Sequence, residues 1–354
     1  MKKFAYCILI SALFSSIMVG QNGTSPFSEN HFNSYMVSQK FSGAVLVKNA
    51  KGEVFHMIKG TANLEENQPI DSNAKFRIAS ITKLFTAVIV MQLVDEEKLN
   101  LESTIDDFLD YEGIAFADQI TVKDLLQHTS GLRKESSLSY LKAYTSDQLI
   151  EKYATRKAAK PGQKHYYNNL DYILLGRIIE VSTGKSFEEN LESRILQPLK
   201  MKNTGLITDQ ELPEGVVPDF KVKAGQRKES LNIHIENFWA AGSMFSTTSD
   251  LLSFVEALKT GKLISQENMK SMFTSSPSLG YAALGCWTFN SPFIDNKPRV
   301  MERRGGILGS TSAIMTHLDG PETLIILSNT NEFDPDTFGV QDNLKEYLFK
   351  RVFE

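Results

Sequence analysis

The sequence predicts an α+β fold. An antiparallel sheet is formed by both chain ends and covered by terminal helices, and the middle of the chain supplies a mostly helical lobe. Three observations carry this. Strand-like apolar runs bounded by turn residues occur early, at 42–60, and again after residue 276. Between about 80 and 275 the apolar spacing is helical and cap signals recur. Strands at both ends with helices between them pack most economically as one shared sheet beside a helical lobe, with a cleft where the two meet. The expected division is 24–79 with 276–354 for the sheet lobe and 80–275 for the helical lobe.

Residues 1–20 stand outside that fold. Lys2-Lys3 is a basic start, "FAYCILISALFSSIMVG" is an apolar run, and Gly20 follows. This reads as a cleaved secretory signal rather than a membrane anchor, because the run is short and broken by Tyr6, Ser11, Ser15 and Ser16. The expected location is therefore exported, periplasmic or extracellular, with no stable membrane span after cleavage. Met18 is a poor residue for the cut, and Cys7 lies too early for lipid attachment. Loss of the segment removes Lys2 and Lys3 and takes the formal net charge from -4 to -6. No basic block remains, which argues against a nucleic-acid partner. Cys286 is then the lone cysteine, in the apolar "YAALGCWTF", and reads as a buried small hydrophobe. An exported chain without a disulfide must be held by its core, and about 330 residues suffice for one.

"SENHFNSYMVSQKF" reads as a short helix and "SGAVLVKNAKGEVFHMIKG" as two strands around a Lys51-Gly52 turn. Thr121 with Asp124, Ser186 with Glu189 and Thr247 with Asp250 each give a cap followed three residues later by an acid. "LDYILLGRIIEVSTGK" has helical apolar spacing and a C-terminal stop at Gly184. "YAALGCWTFN", "RVMERRGG", "STSAIMTHLD" and "TLIILSNT" are four strand-like runs, and "DNLKEYLFKRVFE" closes the chain as an amphipathic helix.

The chemistry centres on "KFRIASITKLFTAVIVMQLV". Lys83 heads a run so apolar that its helix must be buried on nearly every side. Ser80 stands three residues earlier, on the same helical face, where free N–H groups favour developing negative charge. Burial disfavours the ammonium, and a useful base needs the lysine pKa to fall from about 10.4 to roughly 7–8. Ser80 is then a nucleophile and Lys83 its base. The spacing alone is weak, since Ser72 with Lys75, Ser139 with Lys142 and Ser182 with Lys185 share it. The competing structural reading has Ser80 as a cap and Lys83 reaching to solvent.

"HYYNNLDYILLG" supplies a Tyr-x-Asn triplet before a helix. A phenol beside a cationic lysine can act as acid or base, and the carboxamide can hold a substrate amide or the lysine. The residues alone leave the register open between Tyr167 with Asn169 and Tyr166 with Asn168. A literal Lys259-Thr260-Gly261 follows an amphipathic helix, so Gly261 reads as its stop and the triplet is set aside as non-catalytic. "MERRGGILGS", a strand run with Arg303-Arg304-Gly305-Gly306, is the better partner, because glycines let a substrate approach the backbone. His128 in "LLQHTSGL" reads as a structural hydrogen-bonding residue, since no Gly-x-Ser-x-Gly elbow exists for an ordinary triad. Neither His-Glu-x-x-His nor paired cysteines occur, so no metal or other cofactor is indicated.

Together with "ITVKDLLQHTSGL", "ILQPLKMKNTGL" and "WAAGSMFSTTSDLLSF", these stretches run in one order over roughly 40–330. The chain so read resembles the serine β-lactamase-related family: class C β-lactamases, D-alanyl-D-alanine carboxypeptidases and related esterases. The resemblance implies the β-lactamase/transpeptidase-like fold and an acyl-enzyme on Ser80. It sets the triplet register on Tyr167 and Asn169. It implies an oxyanion hole from the N–H groups of Ser80 and Gly306, with Gly305 beside them, and substrate orientation by Asn169 and Arg303. Arg303 departs from the family's Lys or His. It keeps a positive charge that can grip a carboxylate but cannot relay a proton. Lys200 departs likewise from a usual glycine. The expected function is a secreted serine hydrolase acting on an amide or ester of a small molecule or peptide. The alternatives are a small-ester esterase of the same fold and a catalytically silent ligand-binding domain.

Overall fold

The computed structural model describes residues 29–38, 40–63, 67–156, 159–208, 211–231, 233–340 and 343–354. The expected signal at 1–20 and the start of the expected sheet lobe at 24 lie outside the described residues.

Six strands form the main sheet: β1 (Gly43–Lys48), β2 (Val54–Lys59), β3 (Trp287–Asn290), β4 (Arg299–Ile307), β5 (Ser310–His317) and β6 (Thr323–Ser328). Their order is β3-β4-β5-β6-β1-β2, antiparallel throughout. The two chain ends meet where β1 pairs with β6, Gly43 opposite Ser328 and Lys48 opposite Thr323. Strand alternation sends neighbouring side chains to opposite faces. Val45, Val47, Val300, Ala313, Met315, Leu324 and Ile326 therefore pack on one side. There they meet Met36 of α1 (Glu29–Ser38) and Leu344, Leu348, Phe349 and Val352 of the C-terminal helix Leu344–Phe353. Ala44, Leu46, Met301, Ile314, Ile325 and Leu327 point the other way, into the larger core shared with the helical region.

That core is built on α2 (Thr82–Asp95), α3 (Asn169–Thr183) and α4 (Thr248–Lys259). Every residue of α2 from Thr82 to Met91 is buried, as its all-round apolar sequence requires. Thr121 with Asp124 and Ser186 with Glu189 form reciprocal capping boxes. Thr247 caps α4 through the Asp250 N–H, but the Asp250 carboxylate instead takes the Asn203 N–H and the Thr204 hydroxyl. Gly184 ends α3 in the left-handed conformation, φ 67°.

The mostly helical middle also carries short strands: Met244–Ser246 and Gly205–Leu206 form a small sheet with Phe76–Arg77, and Phe220–Lys223 pairs with Gln226–Glu229. One expectation needs correction. In "YAALGCWTFN" only Trp287–Asn290 is strand. Gly285 there has φ 84° and leaves no room for a side chain, since a Cβ would lie 2.5 Å from that of Ala87 on α2. Cys286 is buried, and burial pushes its thiol up to about 12. Lys259 ends α4 and donates to Thr316 and the Gly320 carbonyl, so it turns to the sheet and not to Ser80. Among the described residues no helix is long and apolar enough to cross a membrane.

Candidate active site

Ser80 lies in a 3₁₀ turn, Ala79–Ile81, that feeds directly into α2. Because the turn runs straight into the helix, Ser80 and Lys83, three residues apart, share one face. The turn is clamped from several sides. The Ile78 N–H donates to Met244 O at 3.0 Å, and Ile78 O accepts the Ser312 hydroxyl at 2.9 Å. Ala79 is held at φ 46°, an unusual conformation for a residue with a Cβ. Gly305 on β4 is what allows the strand to reach this turn. A Cβ there would lie 2.4 Å from Ile78 O and 3.0 Å from Ser80 N. Gly306 is exposed with open space beside it.

Lys83 has no exposed surface. Its Nζ stands 3.3 Å from Ser80 Oγ, 2.7 Å from Asn169 Oδ1 and 2.7 Å from Ala241 O. The last two groups can only accept, so they take two N–H donors. A neutral amine then has its lone pair left for the Ser80 hydroxyl. Burial is the largest influence on Lys83 and lowers its pKa; the nearby Tyr167 opposes this and the Arg303 charge reinforces it.

The Tyr-x-Asn register resolves at the start of α3. Asn168 caps the helix, accepting the Leu170 N–H, while Asn169 begins it and faces Lys83. Tyr166 is 46 % exposed. The Tyr167 ring lies 4.9 Å from Lys83 Nζ. Burial would raise its phenol, but the charges of Lys83 and Arg303 and hydrogen bonds with Lys83 and Ser80 outweigh that and bring it down to about 8. Arg303 is 1 % exposed. It donates from Nε to Ser80 O at 2.8 Å and from Nη2 to the Tyr167 hydroxyl at 3.0 Å. Its guanidinium sits over the Trp287 ring, 5.2 Å from the centroid. Two donors of the fork expected to grip a substrate carboxylate are thus bonded to Ser80 and Tyr167.

Several residues escaped the sequence reading. Asn169 Nδ2 donates to Glu135 Oε1 at 2.9 Å and to Tyr140 Oη at 3.2 Å, and the Tyr140 hydroxyl donates to the same Glu135 oxygen. These contacts, with the acceptor on Lys83, fix which end of the Asn169 amide faces which neighbour. Burial and the adjacent Glu135 both push the Tyr140 phenol up, so it remains a donor. Ala241 O and Trp287 carried no signal either. His128 pairs with Asp171. Its Nδ1 lies 3.0 Å from Asp171 Oδ2, and the Ser130 hydroxyl donates to Asp171 Oδ1 at 2.6 Å. Burial lowers the His128 pKa and raises that of Asp171. The His128 ring centroid lies 4.4 Å from that of Tyr167. Among the described residues no group of three or more His, Cys, Asp or Glu is placed to hold a metal ion.

The family model described as Beta-lactamase matches residues 29–348. Penicillin-binding protein 4* of Bacillus subtilis (strain 168) is 26 % identical over 321 residues, which cover 83 % of this chain and 69 % of that protein. The teichoic acid D-alanine hydrolase of Staphylococcus aureus is 29 % identical over 245 residues, 68 % of this chain. The aligned part is only 57 % of that relative's length. Among solved structures, a D-amino acid amidase from Ochrobactrum anthropi SV3, complexed with L-phenylalanine amide, superposes with a TM-score of 0.76 at 23 % identity, covering 92 % of this chain and 97 % of that one. A penicillin-binding protein from Bacillus halodurans gives 0.77 at 23 % identity, covering 91 % and 99 %. Matched over nearly all its described length and sharing the fold of these neighbours, the chain belongs to the Beta-lactamase family, whose members are serine hydrolases.

Proposed function

We propose that this protein is an exported serine hydrolase that cleaves an amide or ester through an acyl-enzyme on Ser80. The observation that carries the reading is the enclosed Lys83 amine, 3.3 Å from Ser80 Oγ, with its other two contacts both obligate acceptors. In acylation the Ser80 oxygen attacks the carbonyl carbon and its proton passes to neutral Lys83. The N–H groups of Ser80 and Gly306 hold the oxyanion, and each such donor is worth about 10²–10³ in rate. Tyr167, at about 8, returns a proton to the departing alcohol or amine as its bond to carbon breaks. Water then attacks the ester on Ser80 by the same route in reverse. Asn169 and Arg303 hold Lys83 and Tyr167 in register for both halves. The penicillin-binding and D-amino acid hydrolase relatives support substrates in the class of D-alanyl peptides, β-lactams and small D-amino acid esters or amides. Export rests on the basic and apolar residues at 1–20.

The test is intact mass after incubation with a fluorophosphonate, a penicillin or an activated ester. One adduct, mapped to Ser80 and lost in Ser80→Ala, is expected. Failure of every probe to add mass would sink the reading. An adduct that forms and never clears would favour the ligand-binding alternative.

A further inference from the structure

Tyr167 stands on a segment of irregular backbone: residues 164–168 are neither helix nor strand, and α3 begins only at Asn169. A phenol that must meet Ser80 and Lys83 needs that backbone fixed. The peptide groups on either side of Tyr167 both end on one residue. The Tyr166 N–H donates to the His128 carbonyl at 2.7 Å, and the Asn168 N–H donates to His128 Nδ1 at 3.3 Å. Between those two bonds the imidazole lies against the phenol, with centroids 4.4 Å apart. The imidazole is itself held. Asp171 Oδ2 lies 3.0 Å from Nδ1, the Ser130 hydroxyl donates to Asp171 Oδ1 at 2.6 Å, and the Leu132 N–H donates to the Ser130 oxygen at 3.2 Å. Burial pushes both His128 and Asp171 toward their neutral forms. With the imidazole proton on Nε2, Nδ1 is an acceptor. The Asn168 N–H aimed at it fits that tautomer, and a protonated Asp171 carboxyl can donate to the same nitrogen. His128 takes φ 58°, a left-handed conformation that glycine adopts more readily, so its side chain is kept against a backbone cost.

We propose that His128 is a positioning residue for the reaction: it brackets Tyr167 so that the phenol stays against Lys83, Ser80 and Arg303 through acylation and release. The proposal rests on the acyl-transfer reading above, in which Tyr167 returns a proton to the leaving group. His128 acts only through Tyr167. Lys83 Nζ, the Arg303 guanidinium and Lys134 Nζ stand 4.9, 5.6 and 5.8 Å from the Tyr167 ring centroid. The hydroxyl is at the far end of the side chain. A small change at 166–168 is therefore amplified at the oxygen that accepts from Arg303 at 3.0 Å. Two jobs are divided here: Lys83 and Arg303 set the charge around the phenol, and His128 sets where the phenol is.

The test compares His128→Asn with His128→Gln, each alone and in a Tyr167→Phe background. Asparagine keeps an acceptor where Nδ1 stands. Glutamine is nearer to histidine in length but carries its acceptor past that point. Ultraviolet difference titration, with Tyr167→Phe as the blank, reads the Tyr167 phenol and needs no substrate. Intact mass after benzylpenicillin gives the acylation rate, and fluorophosphonate labelling of Ser80 reports a folded nucleophile. In His128→Gln the phenol is expected to titrate above the wild-type value of about 8, toward the ordinary value of roughly 10. Penicillin acylation should fall by about 10- to 100-fold, the usual cost of a small misplacement. His128→Asn should retain most of both. In the Tyr167→Phe background the two variants should acylate at one rate, since nothing is left for His128 to position. Equal phenol titrations in His128→Asn and His128→Gln, or a glutamine penalty that persists in Tyr167→Phe, would reduce His128 to packing and overturn the proposal. A wild-type phenol at its ordinary value would overturn it as well. If wild-type Ser80 takes neither fluorophosphonate nor penicillin, the hydrolase reading fails by itself, and the titration still decides whether His128 places the phenol.

Discussion

Lys83 and Lys345 both lie at 0 % exposure, yet one meets only neutral acceptors and the other meets carboxylates. Lys83 contacts a hydroxyl, a carboxamide oxygen and a backbone carbonyl. Lys345 contacts Glu302 Oε1 at 2.7 Å and the Pro335 carbonyl at 2.9 Å, with Glu346 at 3.7 Å. Taking an ammonium out of water carries a penalty of several kcal/mol, offset only where a counter-ion and further hydrogen bonds replace the water. Lys345 has that replacement and ties the C-terminal helix to β4. Lys83 lacks a directly bonded carboxylate, and burial drives it toward the free amine. Enclosure by itself therefore does not make a base; enclosure without a counter-ion does. One strand serves both regions. Glu302 and Arg303 are consecutive on β4, so the pleat sends the acid to Lys345 on one face and the guanidinium to Tyr167 and Ser80 on the other.

The comparison breaks most sharply at Lys83→Arg. Guanidinium stays protonated, so acylation is expected to fall by about 10²–10⁴-fold, the usual worth of a general base, with the fold intact by circular dichroism. A variant that acylates normally would mean that Lys83 is not the base. Lys345→Met tests the other pole. It leaves Glu302 buried with Arg304 as its one remaining ion-pair partner among the described residues, at 3.7 Å, and is expected to lower unfolding stability by roughly 3–5 kcal/mol. Activity per folded molecule should hold, as urea denaturation and active-site titration would show. The smallest effect is expected for Arg303→Gln. Burial raises the Tyr167 phenol and the charges of Lys83 and Arg303 lower it to about 8. Removing one of those charges must move the Tyr167 pKa upward. An ultraviolet difference titration of the phenol should show it, and the limb of the pH–rate profile set by Tyr167 should move to higher pH. A downward or absent shift would deny Arg303 its electrostatic role.

Much of the fold was legible because it depends on local periodicity. The runs at 43–48 and 323–328 alternate between two buried faces, and such strands need partners on both edges. Caps at Thr121 and Ser186 and the stop at Gly184 announced helix ends through groups within a few residues. The short strands at 205–206 and 244–246 were missed because two or three residues carry no period, and their pairing is fixed by distant partners. At the site, Ser80 and Lys83 stood out because an amine in an apolar run is anomalous. Glu135, in the polar stretch "RKESS", and the Ala241 carbonyl were invisible, since an acid among charged residues and a backbone oxygen look ordinary.

By itself the sequence determined that the helix headed by Lys83 would be buried, because hydrophobic patterning dictates what lies inside. It also determined which chain ends would share a sheet. Only the tertiary structure decided what Lys83 would touch, which face of the triplet would reach it, and that Arg303 would bond Ser80 and Tyr167. The physical reason is range: burial follows from a residue and its near neighbours, whereas the state of a buried charge depends on atoms brought within a few ångströms from segments as far apart as residues 83 and 241.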